Sequence, residues 1–227
     1  MHNIFIVARE ACKILVVSAV GLGAFAGVSA HAQNPAKSAA PAAETAAAKA
    51  VVDGFRSAKF GMTMDKVRKA IAADFKLSGD AVGEGENVAE RTALLTIRVD
   101  DVLKDGGPAQ VSYVFGYDSK TLIQVGILWD IQSSSEAKLL ANAEVLSSYF
   151  RTAGYDPATV RSSLALDNGL LIFRGEDAEG RATVLLLQGT FTDAGDQRRS
   201  LAPSALALLY AVDADNPDVF RIQSGQF

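Results

Sequence analysis

Downstream of Arg91 the chain alternates apolar and polar positions with period two. In Arg91–Asp100, Ala93, Leu95, Ile97 and Val99 face one way, while Thr92, Thr96, Arg98 and Asp100 face the other. Asp105-Gly106-Gly107-Pro108 makes a turn. Ala109–Tyr117 then repeats the pattern with Val111, Tyr113, Phe115 and Tyr117. After Asp118-Ser119-Lys120, Thr121–Asp130 presents Ile123, Val125, Ile127 and Trp129. Three such runs joined by short turns predict an antiparallel meander with one aromatic face. The opposite face carries Leu94, Val114, Leu122 and Leu128 among Thr, Ser and Gln. That is more apolar than a fully solvated face requires, so the second half of the chain or a partner is expected to cover part of it.

Period 3.6 appears twice. Met64, Val67, Ile71 and Phe75 form one stripe after Gly61-Met62-Thr63, with Thr63 as the expected N-cap and Asp65 near the positive end of the helix dipole. This helix is expected to pack on the aromatic face of the meander. Leu139, Ala143, Leu146 and Phe150 form a second stripe in Ser133–Gly154, with Ser133 and Glu136 placed as a capping box and Gly154 as the stop. Beyond it, Leu170–Arg174 and Ala182–Phe191 read as a hairpin turning at Gly180, with Val184–Leu187 buried on both sides. Ser204–Val212 is rich in Ala and Leu and is assigned to a strand over a helix. Ser78–Asn87 and Thr192–Ser200 read as polar loops, and Phe220–Phe227 as a tail that pairs weakly with a sheet edge. The predicted class is α+β: antiparallel sheet with helices on one face, in two tandem units of one helix and three strands, 52–131 and 132–227.

The first half of the globular part brings in a resemblance. Gly61-Met62-Thr63 followed by Val67 is similar to the Gly-Met-Thr/Ser…Val helix start of the small periplasmic family that contains outer-membrane-assembly lipoproteins. The tandem helix-plus-sheet layout resembles that of the β-lactamase inhibitory proteins. The likeness spans about ten to fifteen residues, and the chain lacks both the lipid-bearing cysteine and a Gly-x-Pro after the first helix. The matching positions are structural, so no functional residue is carried over. What the resemblance implies is a protein-binding or envelope-associated module that is not an enzyme.

The N-terminus changes the chemistry. Arg9 and Lys13 precede an apolar run, Ile14–Val28, and Ala30-His31-Ala32 offers small residues at the positions a signal peptidase reads. The run is about fifteen residues, short of the roughly 20 that span a bilayer, so cleavage before Gln33 is expected in place of a retained anchor. Residues 33–51 are an Ala/Pro-rich tether, and the folded domain is expected to begin near Val52–Phe55. The only cysteine, Cys12, and both histidines, His2 and His31, fall in the removed part. A mature periplasmic or secreted chain would then have no disulfide, no thiol or imidazole catalyst, and no usual zinc ligand. Losing Arg9 and Lys13 from 22 basic residues and Glu10 from 26 acidic ones leaves 20 and 25, a net charge of −5. Without a basic block, nucleic acid is excluded as a partner, and stable membrane insertion after cleavage is not expected.

Candidate chemistry is sparse. Asp80, Glu84 and Glu86 lack calcium-loop spacing, and in Asp213–Asp218 a proline, Pro217, stands at the fifth ligand position with no glycine after it, so no metal or cofactor is expected. Three functions remain. The leading one is a non-catalytic module that binds another envelope protein or envelope component through a sheet face, with Arg98, Asp100 and Asp130 as its candidate binding residues. A hydrolase would have to use carboxylates such as Asp100, Asp101 and Asp130 at strand ends. A carrier would hold a small apolar ligand between helix and sheet.

Overall fold

The computed structural model describes residues 49–193, 199–222 and Gly225; the targeting segment and residues 33–48 of the tether lie outside the described residues. Ordered contacts begin two residues before the expected start. Ala50 donates its N–H to the Gly154 carbonyl at 2.9 Å, and Val52 donates to the Asp177 carboxylate at 2.8 Å.

The chain runs β1 (Gly54–Phe55), β2 (Ala58–Lys59), α1 (Met64–Phe75), β3 (Gly83–Asn87), β4 (Thr92–Val99), β5 (Ala109–Phe115) and β6 (Leu122–Asp130). It continues through α2 (Glu136–Thr152), β7 (Leu164–Leu166), β8 (Gly169–Glu176), β9 (Ala182–Asp193) and β10 (Arg199–Ala211). β1 and β2 pair as a small hairpin. The remaining eight strands form one antiparallel sheet in the order β3-β4-β5-β6-β10-β9-β8-β7. The α+β class and the antiparallel meander of β4, β5 and β6 are therefore present. The order is palindromic about the β6–β10 pair: the last strand of each half meets its counterpart at the centre. Each half contributes one helix and four sheet strands. The extra strand in each, β3 or β7, lies at the outer edge.

Both helices pack on one face. Val67 and Ile71 of α1, and Leu139, Ala143 and Phe150 of α2, share a single buried cluster with Tyr113, Phe115, Trp129, Phe173 and Leu206. Period-two alternation delivers these residues from the strands and period 3.6 from the helices, so one layer closes over both halves. Phe150 stacks on Phe173 with ring centroids 5.5 Å apart, and Tyr155 meets the same ring edge-on at 5.1 Å. On the far face, Leu171, Val184, Leu186, Ala207 and Leu209 form a second buried cluster, against which Leu128 and Ala214 pack. The strands of the second half extend the first half's sheet sideways and do not lie over its far face. The described cover on that face is the C-terminal tail. Arg174 points to Asp215 there, and Phe220 donates its N–H to the Glu90 carbonyl in the β3–β4 turn at 2.9 Å; of Phe220–Phe227, residues 223, 224, 226 and 227 lie outside the described residues.

Several local expectations change. Gly83–Asn87, read as loop from its Gly and Glu, is the edge strand β3, because β4 offers it a full row of backbone partners from Thr92 to Thr96. The N-cap of α2 is Ser135, whose hydroxyl accepts the Lys138 N–H at 3.3 Å, while the Ser133 hydroxyl donates to the Asp130 carbonyl. Thr63 sits at the N-cap of α1 without a side-chain cap bond. Of Thr192–Ser200, read as a loop, Thr192–Asp193 belongs to β9 and Arg199–Ser200 to β10, while residues 194–198 lie outside the described residues. Ser204–Val212 is strand as far as Ala211.

Candidate binding surfaces

The residues selected from sequence lie at one end of the sheet without forming a cluster. Arg98 is exposed on β4, and Asp100 is exposed just past its end. Asp130 closes β6, where its carboxylate accepts the Gln132 N–H at 2.7 Å. Arg98 lies opposite Gln110, and Gln110 opposite Leu128, so β5 stands between Arg98 and the strand that carries Asp130. Two strand spacings put their backbones about 10 Å apart. Asp101, the third carboxylate at this end, accepts the Gly106 N–H at 3.3 Å. Asp101 and Asp130 thus serve the turns that carry them. Among the described residues no group of three or more His, Cys, Asp or Glu could hold a metal ion.

Two features that the sequence did not single out stand apart from the packed core. The first is a ribbon. β9 and β10 pair from Arg199↔Asp193 to Pro203↔Gly189, beyond the last rungs that β8 and β6 supply, Gly169↔Gln188 and Ala205↔Asp130. Five rungs of two-stranded sheet therefore extend about 17 Å past the eight-stranded body. Leu201 packs toward the helix-side core and the Arg199 guanidinium sits 4.5 Å from the Phe191 ring centre, while Thr190, Thr192 and Ala202 are exposed. Pro203 on the β10 side brings no N–H to its outer edge; the β9 side, Thr190–Asp193, has no proline.

The second is an open cleft of about 450 Å³ where the β1–β2 hairpin, the β5–β6 turn, the start of β9 and the tail converge. Phe60, Ile123 and Val212 give it an apolar wall, and Lys59, Arg181 and Asp218 its charges. Lys59 is committed to Asp53 at 2.9 Å. Asp218 accepts the N–H groups of Asp118 and Ser119, each at 2.9 Å. Desolvation pushes its pKa up, but those N–H groups, the Ser119 hydroxyl and Lys120 outweigh it and hold the carboxyl below its ordinary value. Arg181 differs from its neighbours. Its backbone N–H goes to Asp177, and the one hydrogen bond of its guanidinium is a long one, 3.4 Å, to the Val52 carbonyl. The nearby buried carboxylate of Asp177 is already occupied by three backbone N–H groups, those of Val52, Glu179 and Arg181. Among the described residues Arg181 has no ion-pair partner.

Comparison with protein-family models, with curated proteins and with solved structures returns no match.

Proposed function

We propose that this chain is an exported, non-catalytic module that binds another protein of the cell envelope, which adds a strand to the free β9 edge of the ribbon. The observation that carries the reading is that edge itself: among the described residues Thr190–Asp193 pairs with β10 alone, past the last rung that β8 supplies. An unpaired row of N–H and C=O groups is a template for another chain, and two strands alone are marginally stable in water. Natural sheets protect such edges with charged side chains, above all lysine, and with proline; this segment has no lysine or proline and a single charge, Asp193, at its end. The export segment, the Ala/Pro tether and the loss of His and Cys on cleavage support the same reading. A carboxylate hydrolase has no comparable support, since Asp101 and Asp130 accept N–H groups of their own turns.

A photo-crosslinking residue at Thr190 or Thr192 of the full chain, expressed in the source cell, tests this. A discrete adduct with one envelope protein, seen from these positions and not from Arg151 on α2, is the expected result. No adduct, the same adducts from Arg151, or an adduct of twice the chain's own mass would reject a heterologous partner at this edge.

A further inference from the structure

We infer that the cleft beside Arg181 is a binding site for a small carboxylate carried on an apolar body, such as a medium-chain acyl acid. This does not rest on the ribbon, which lies at the opposite end of β9. Three observations carry it. The cleft's volume, about 450 Å³, falls in the range of small-molecule sites, about 300–1,000 Å³. Its apolar wall of Phe60, Ile123 and Val212 suits a hydrocarbon chain. Its charges are used unequally: Lys59 is neutralised by Asp53, and Asp218 is saturated by N–H groups, whereas the Arg181 guanidinium keeps its fork without an anion. A planar guanidinium matches a carboxylate by two parallel N–H bonds, which a lysine ammonium cannot reproduce.

Asp218 stays charged and borders the same space, so a dianion such as a phosphate monoester meets stronger like-charge repulsion there than a single carboxylate does. The cleft is assembled from β2, the β5–β6 turn, the residue that opens β9 and the tail, so occupancy would fasten the tail to the body.

The test is calorimetric titration of the full chain with octanoate, paired with methyl-resolved NMR of Ile123 and Val212. The expected result is saturable binding, shifts at these two residues, and at least tenfold weaker binding of octanol, octylamine and octyl phosphate. Arg181→Gln should lose tenfold or more in affinity while Arg181→Lys loses less. Arg181 makes one weak side-chain bond, so both variants should fold, as circular dichroism would verify. No saturation by 5 mM octanoate, equal binding of octylamine, or an Arg181→Gln variant that binds as the parent does would each overturn the assignment.

Discussion

Tyr113 is fully buried on the helix side of β5, and its hydroxyl has no hydrogen-bond partner among the described residues. Burial pushes its pKa well above the ordinary phenol value; Asp74 adds to the rise and Arg56 opposes it, so the group stays neutral. A buried polar atom without a partner costs about 1–3 kcal/mol, whereas the ring supplies the packing. Tyr113→Phe should therefore be neutral or stabilise the protein by about 1 kcal/mol in urea unfolding. Loss of more than that amount would mean that the hydroxyl has a partner in solution. Asp218 gives the residue-scale pH dependence. Its folded pKa lies below the ordinary carboxylate value of about 3.9, so its contribution is complete above that pH and fades as pH falls through the folded pKa. The difference in melting temperature between the parent and Asp218→Asn should be steady from pH 5 to 7 and shrink below about pH 4. A difference that grows in acid would contradict a charged Asp218 holding the Asp118 and Ser119 N–H groups. Gly116 belongs to the same device, because a Cβ there would collide with the Asp218 carboxylate and the Ser119 hydroxyl.

Elements differ in what holds them. α1 is fixed by apolar burial, with Val67 and Ile71 fully enclosed, while its outward link to β3 is the Arg68–Glu84 ion pair. Both partners of that pair are substantially exposed, so solvent screening limits it to about 0–1 kcal/mol. Ile71→Ala leaves a cavity and should cost about 2–5 kcal/mol. Arg68→Ala should cost less than 1 kcal/mol, and parallel denaturant curves would separate the two. α2 has an additional tie, since buried Asn142 donates to the Gly106 carbonyl at 2.9 Å and pins the β4–β5 loop against the helix. The ribbon is the contrary case: it leaves the body at a register shift between Pro203 and Ala205 and continues with backbone pairing but little core.

Across the whole molecule, the seam between halves is a strand pair. Seven rungs join β6 to β10, from Ala205↔Asp130 to Ala211↔Gln124, and Leu206 lies opposite Trp129 within the helix-side cluster. Exposing that seam would uncover backbone and core together, so the halves should unfold as one. Thermal midpoints from far-ultraviolet dichroism and from the fluorescence of Trp129 should coincide. Two separated midpoints would show that 52–131 and 132–227 fold independently.

Sequence by itself determined what depends on neighbours along the chain. The alternation in β4, in β5 and from Val125 to Trp129 of β6, the two helical stripes, the doubly buried run Val184–Leu187 and the strand nature of most of Ser204–Val212 were legible, because side-chain period follows from backbone geometry; at the start of β6 the register shift after Val114 instead turns Leu122, expected on the far face, into the helix-side core and leaves Ile123 to line the cleft. Only the tertiary structure decided the rest. Gly83–Asn87 has weak strand propensity and becomes a strand because β4 presents an open edge to it. Ser135 displaces Ser133 as the cap because the Asp130 turn claims the Ser133 hydroxyl. The meeting of β6 with β10 leaves no periodic trace in either strand. The cleft unites Lys59, Ser119, Arg181 and Asp218, residues separated by up to about 160 positions, and what distinguishes Arg181 is that its neighbours' charges are satisfied elsewhere. Period is a local property of the backbone; pairing, and the charge left over when pairing is complete, belong to the folded chain.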